Sequence, residues 1–175
     1  MRIEIERLDE QGEAFAHRYA PDELSLDEET ARVAAEAAVE GRATRRGDVV
    51  RLRGKITAGV AVFCDRCAAE INAPLEIEFD TSFTPAEVEK AVVENVELQA
   101  GDLDRSVYEG GEVDVDELVR EQILLALPTR NLCREECKGL CPECGANLNE
   151  GACGCGHKEV DPRWAALADL KKDSD

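Results

Sequence analysis

At 175 residues, 43% apolar but only 4% aromatic, the chain is long enough for one ordinary domain whose core must be built from Val, Ile, Leu and Ala. Its net charge of −18, from 39 acidic and 21 basic residues, disfavours a protein that holds a phosphate backbone by neutralising it, and suits a basic protein partner. No apolar run approaches the roughly 18 residues that span a membrane, and "MRIEIERLDEQGEAF" lacks a signal peptide's apolar stretch, so a bacterial cytoplasmic chain is expected, with no membrane or DNA partner.

The opening "RIEIERL" sets Ile3, Ile5 and Arg7 against Glu4, Glu6 and Leu8, which predicts a short strand. "APDELSLDEETA" carries the Pro and Asp punctuation of a loop. "ARVAAEAAVEGRATR" is Ala-rich, which suits helix, yet Val33, Ala35, Ala37, Val39, Gly41 and Ala43 also line one face of a strand. A strand is the better reading, because the adjoining "RRGD" is a hairpin-turn signal.

"VVRLRGKITAGVAVFC" places Val50, Leu52, Ile56, Val60 and Val62 on one face, with Arg51, Arg53, Lys55 and Thr57 on the other. "EINAPLEIEFDTSF" sets Ile71, Ala73, Leu75, Ile77, Phe79 and Phe83 against Glu70, Glu76, Glu78 and Asp80. These two strands flank "CDRC", which reads as their turn, and their oppositely charged outer faces should pair across the ladder.

In "TPAEVEKAVVENVELQAGDLDRSVYEGGE", Thr84 resembles a helix cap with Pro85 behind it. The acidic stretch that follows predicts at most a short helix and then a mobile loop over 98–114. "DVDELVREQILLALP" predicts a helix capped by Asp114 or Asp116, with Leu118, Ile123, Leu124 and Leu127 on its apolar face and Pro128 ending it. "DPRWAALADLKK" reads as a short closing helix with Asp161 as cap, Pro162 at its first position and Lys171 and Lys172 at its end. The predicted class is α+β: an antiparallel β-sheet with a few helices and a C-terminal zinc-binding segment. Its divisions are an α+β domain over 1–130, a cysteine-rich segment over 131–160, and a closing helix and tail over 161–175.

The eight cysteines form four close pairs: Cys64/Cys67, Cys133/Cys137, Cys141/Cys144 and Cys153/Cys155. In a reducing compartment such a set points to metal rather than disulfides. Tetrahedral Zn(II) takes four thiolates, and two CxxC-like pairs present them, so two Zn(2+) per chain are expected. Four pairs can join in three ways. The turn-rich "GANLNEGA" lets Cys141/Cys144 close locally on Cys153/Cys155, leaving Cys64/Cys67 to join Cys133/Cys137 and clamp the hairpin to the helix end. The rival grouping makes "CREECKGLCPEC" one site, and His157 is an alternative ligand to Cys155.

A closed four-thiolate shell leaves no position for a catalytic water. The sequence also shows no GxSxG or phosphate loop, and "CDRC" joins strands instead of opening a helix as a thiol oxidoreductase requires. The chain therefore reads as a non-enzyme.

"CDRCAAEINAPLEIEF", "VDVDELVREQILLALPTRNLC", "CKGLCPECGANLN" and "DPRWAALADLKK", which together cover most of residues 45–172, resemble the YceD family, named for accumulation of large ribosomal subunit RNA. The resemblance implies a cytoplasmic protein (a plastid one in plants) needed for processing or accumulation of large-subunit rRNA, with no known reaction. It also implies that Cys64, Cys67, Cys133 and Cys137 belong to the fold, while Cys141, Cys144, Cys153 and Cys155 form an added knuckle. In many bacteria the family's gene lies beside that of a small basic ribosomal protein. That neighbour and the acidic charge point to a ribosome-biogenesis factor whose partner is a basic ribosomal protein or a large-subunit preribosomal particle, with rRNA associated indirectly. Two other readings stay open: direct rRNA binding through a basic face of Arg42, Arg45, Arg46, Arg51, Arg53 and Lys55, and a redox-regulated zinc-binding chaperone.

Overall fold

The computed structural model describes residues 1–26, 28, 30–86, 105–155 and 163. The elements in chain order are β1 (Arg2–Glu4), a 3-10 turn (Ile5–Arg7), β2 (Glu13–Tyr19), β3 (Ala31–Val33), β4 (Ala37–Arg46), β5 (Val49–Phe63), β6 (Glu70–Pro85), β7 (Arg105–Tyr108), β8 (Glu112–Asp114) and helix α1 (Val115–Ala126). Six strands make one sheet in the order β2-β4-β5-β6-β7, with β3 also paired to β5; β1 and β8 form a small second sheet.

Strand β5 is the axis of the fold. Its first half pairs with β4 (Ala38↔Thr57 to Arg46↔Val49), and its second half pairs with β3 (Val33↔Val60 to Ala31↔Val62). On its other side it pairs with β6 along nearly its whole length, from Val50↔Phe83 to Phe63↔Glu70. This register puts Val50, Leu52, Ile56, Ala58, Val60 and Val62 on one face with Phe79 and Phe83, all of them buried. Helix α1 covers that face with Val115, Leu118, Val119 and Ile123. The alternation of β5 and β6 is thus the pattern of a sheet that is dry on one side and wet on the other.

The helix starts where the sequence predicts. Asp114 adopts an extended backbone and its carboxylate accepts the Asp116 and Glu117 amides, and Leu127 is the C-terminal cap before Pro128. On β2, Tyr19 is buried and its hydroxyl donates to Asp116 Oδ1 at 2.6 Å, joining the sheet's outer strand to α1. Burial, and then this carboxylate, push the phenol's pKa up.

Three expectations need correction. The sheet is mixed instead of purely antiparallel, because β7 runs parallel to β6 (Ser82↔Arg105 to Pro85↔Tyr108). A parallel pair needs a crossover of a dozen or more residues, and residues 86–104 supply that length. Part of the expected 98–114 loop is therefore strand (β7 and β8), and β6 runs on to Pro85. The first strand stops at Glu4: Ile5 and Leu8 are both buried, a spacing of three that a 3-10 turn satisfies and a strand cannot. Residues 87–104, on which the short helix expected after Thr84 falls, the expected closing helix at 161–172 apart from Arg163, and His157 lie outside the described residues. Among the described residues, no helix is long and apolar enough to cross a membrane.

Candidate metal centres

The sheet's longest hairpin ends in "CDRC". Cys64 follows β5 directly, its N–H bonds to the Ala69 carbonyl, and the Ala68 N–H returns to the Cys64 carbonyl, so the chain folds into a knuckle with Ala68 at φ 55°. Such a turn aims both thiols into its own concavity. The segment after α1 is sewn to this knuckle by backbone. The Asp65 N–H donates to the Asn131 carbonyl at 2.9 Å and Asp65 Oδ2 accepts the Asn131 N–H at 2.7 Å. The Arg66 guanidinium donates to the Cys137 carbonyl at 2.6 Å, and the Leu140 N–H donates to the Arg66 carbonyl at 3.0 Å. Gly139 sits at φ +75°, and a Cβ there would stand 2.9 Å from the Arg66 carbonyl oxygen. Glycine is what lets the two backbones come this close.

The result is two groups of four thiols. Cys64, Cys67, Cys133 and Cys137 form the first and Cys141, Cys144, Cys153 and Cys155 the second, the sulfurs of each lying within 4.8 Å of one another. In the first group, Cys64 Sγ stands 3.8 Å from Cys137 Sγ, and Cys67 Sγ stands 3.6 Å from Cys133 Sγ. A tetrahedron with metal–sulfur bonds of about 2.3 Å has edges of about 3.8 Å, so the donors fit one divalent ion with little movement. At this spacing neither pair is joined as a disulfide, whose S–S bond is about 2.05 Å. The structure thus groups the pairs hairpin-to-helix-end and locally, and sets "CREECKGLCPEC" across two groups; Cys155 completes the second.

The second group is built on its own knuckle. The Gly145 N–H returns to the Cys141 carbonyl at 2.8 Å and the Cys141 N–H donates to the Ala146 carbonyl at 2.8 Å. Leu140 and Asn147 form an isolated bridge, and the Leu148 N–H donates to the Gly139 carbonyl at 2.9 Å. Residues 139–141 are therefore a strut shared by both groups.

Electrostatics prime one knuckle thiol in each. The backbone N–H of Cys133, 3.4 Å from Cys64 Sγ, lowers that thiol's pKa to about 6 against the opposing effect of burial. The amides of Cys144 and Glu143 lower Cys141 to about 6 in the same way. Cys133, bonded to the sulfurs of Cys137 and Cys67, is pushed up to about 12, and Cys155, bonded to Cys144 and Cys153, is likewise pushed up to about 12. Four thiolates cannot share so small a volume unless a cation joins them, because each like charge disfavours the next.

Sequence reasoning missed Arg66, Asn147 and Asn149, the polar residues that hold the frame. Asn149 Nδ2 donates to Cys137 Sγ at 3.3 Å and Asn149 Oδ1 accepts the Lys138 N–H at 2.8 Å. The one available signal is the run "NLNEG" between cysteine pairs, which is turn chemistry without a visible target.

The basic strand residues lie elsewhere: Arg42, Arg46, Arg51, Arg53 and Lys55 on the wet face of the sheet, but Arg45, opposite Val50, on its dry side and so apart from the expected basic face. Arg51 meets Asp80 through two bonds of 2.6 and 2.7 Å, Arg53 reaches the same carboxylate at 2.9 Å, and Lys55 reaches Glu76 at 2.8 Å. Arg42 donates to the Gln11 and Gly12 carbonyls, Arg45 to those of Gly47 and Ile5, and Arg46 lies 3.7 Å from Glu10.

A mixed sheet whose hairpin tip and helix exit share four cysteines, with four more on an appended loop, defines the class of protein. A family model described as "Large ribosomal RNA subunit accumulation protein YceD" matches residues 52–171, a span that holds all eight cysteines, and the chain belongs to this family. Its relatives include the "Large ribosomal RNA subunit accumulation protein YCED homolog 1, chloroplastic" of Arabidopsis thaliana, 25% identical over 73% of this chain and 46% of that protein. An uncharacterized protein of Mycobacterium tuberculosis is 30% identical over 69% of this chain and 55% of its own length. The YlbN protein of Bacillus subtilis is 28% identical over 78% of this chain and 75% of its own. The chain thus spans about half the length of the plant and mycobacterial relatives. No solved structure matches it.

Proposed function

We propose that this chain is a non-enzymatic ribosome-biogenesis factor that supports processing or accumulation of large-subunit rRNA in the cytoplasm. Two Zn(2+) ions clasp its C-terminal segment to its sheet, and it works through contact with a basic ribosomal protein or a preribosomal particle. The family description and the name of the Arabidopsis relative support the ribosomal role. The thiol geometry supports a structural use of zinc, because four sulfurs per ion leave no site for an activated water.

The observation that carries the choice of partner is the pairing of Arg51, Arg53 and Lys55 with Asp80 and Glu76. Cations already committed to carboxylates release few counterions from a phosphate backbone. A protein of net charge −18 instead attracts and steers a basic one.

The test has two arms. Depletion in cells is expected to lower large-subunit rRNA relative to small-subunit rRNA. Affinity purification from cells is expected to recover a basic ribosomal protein that stays bound after nuclease treatment. Recovery of naked rRNA without such a protein would overturn the partner reading in favour of direct RNA binding.

A further inference from the structure

The loop between Cys144 and Cys153 belongs by sequence to the second thiol group, yet it places a hydrogen-bond donor on a sulfur of the first. Asn149 Nδ2 donates to Cys137 Sγ at 3.3 Å and to Asn147 Oδ1 at 2.9 Å, while its Oδ1 accepts the Lys138 N–H at 2.8 Å. The amide's orientation is fixed by its surroundings: a backbone N–H needs the oxygen side, and a sulfur and a carbonyl oxygen need the nitrogen side. Asn147 is fixed in turn, since its Nδ2 donates to Glu150 Oε1 at 2.9 Å and its Oδ1 also accepts the Asn149 N–H at 3.1 Å. A hydrogen-bonded chain thus links Cys137 Sγ to the Glu150 carboxylate through two amides, with Asn149 Nδ2 donating toward both ends.

What holds this chain in place is the second group. Residues 143–152 bury no side chain fully, and Leu148 and both asparagines are only part-buried. The loop is closed at its ends by Cys141 and Cys144 on one side and Cys153 and Cys155 on the other, and along its edge by bonds to residues 139–141. An outer-shell donor orients a ligand and balances its charge, and removing one typically costs about 10–100-fold in metal affinity.

We propose that Asn149 is a positioning residue for the first metal centre carried on the loop of the second, so that an ion at Cys141, Cys144, Cys153 and Cys155 tightens the hold of Cys64, Cys67, Cys133 and Cys137 on theirs. This rests on the reading that both groups bind zinc. The two centres then load as a linked pair, and the appended knuckle serves the clasp.

The experiment titrates the zinc-loaded full chain with a chelator, alkylates freed thiols, and maps them by peptide mass, which reads the two groups separately. Asn149→Asp keeps an oxygen for the Lys138 N–H and removes the donor to sulfur. It should weaken zinc at the first group by about 10–100-fold. The pair Cys144→Ser with Cys155→Ser, which disables the second group, should weaken the first to a similar degree, and adding Asn149→Asp to that pair should cost nothing more. Cobalt-loaded Asn149→Ala supplies a readout that loss of stability alone does not move: a sulfur that loses its N–H should shift its charge-transfer band to lower energy.

First-group affinity within twofold of the parent in Asn149→Asp, additive losses in the combined variant, or an unmoved cobalt band would each overturn the inference while leaving the zinc reading intact. A parent protein that holds no zinc on either group would overturn both.

Discussion

The sheet and the cysteine-rich segment are held together by different physics. The sheet buries Val39, Val50, Leu52, Ile56, Val60, Phe79 and Phe83 against α1, and its order follows from apolar area removed from water. In residues 131–155 only Cys137, Gly139 and Cys141 are buried, and the second core cluster consists of thiols with Ile71 and Leu132 beside them. A segment with so little apolar area cannot offset the conformational entropy of its own ordering, so a bond of another kind must supply the difference. The comparison teaches where one chain changes its source of stability: at the tip of the β5–β6 hairpin, where Cys64 still sits in an apolar wall and already faces the metal site.

The largest effect should come from breaking the clasp. Cys67→Ser removes one of four ligands and should release the first ion, disorder residues 131–155 and lead to unfolding or aggregation. In such sites metal-binding energy is largely folding energy, on the order of 10 kcal/mol per structural zinc. Zinc counting and thermal melting check this, and a variant that keeps both ions and its melting temperature contradicts it.

Truncating the sheet core should cost less and leave the metal alone. Leu52 is fully buried, and Leu52→Ala should destabilise by about 2–5 kcal/mol in chemical denaturation, with the zinc content of the folded fraction unchanged. Asp114→Ala deprives the Asp116 and Glu117 amides of their acceptor. It should cost about 1 kcal/mol through the start of α1, again with full metal content.

The smallest effect belongs to the wet face. The Arg51 guanidinium bonded to Asp80 holds that carboxyl below its usual range against the effect of burial. A depressed folded-state pKa adds stability above the ordinary carboxylate range, and that stability fades as pH falls through the depressed value. Asp80→Asn should therefore lower the melting temperature slightly at neutral pH, where the carboxylate is stabilising, and flatten the further loss of stability below about pH 4, as melting curves in a pH series would record.

Much of the sheet was legible because β5 and β6 write their register in alternation: Val50, Leu52 and Ile56 inside, Arg51, Arg53 and Lys55 outside, with Val50 facing Phe83, Ile56 facing Ile77, Arg53 facing Asp80 and Lys55 facing Glu78. The Asp114 cap and Pro128 bracketed α1 for equally local reasons. The grouping of the thiols was only partly legible: "GANLNEGA" is short and turn-rich enough to close locally, which favoured it, but the sequence left the rival grouping open, and the sulfur positions decide it. Strands β7 and β8 were not legible. "RSVY" pairs in parallel with Ser82–Pro85 across a long connection, and "EVD" pairs with Arg2–Glu4 at the opposite end of the chain, so neither carries its stabilisation in its own composition. Asn149 was hidden for the same reason, because its target sulfur becomes visible only once residues 138–141 and 146–149 lie side by side.

The measurement that bears most directly on the clasp is the metal content of the intact chain, by native mass spectrometry joined to a count of titratable thiols. Two zinc ions per chain and no reactive cysteine is the expected result, and chelation should free all eight thiols while disordering residues 131–155 ahead of the sheet. One ion with four reactive thiols would make one cysteine group a free, oxidisable set and bring the redox-regulated reading forward. A folded chain with no metal and eight free thiols would contradict the account outright.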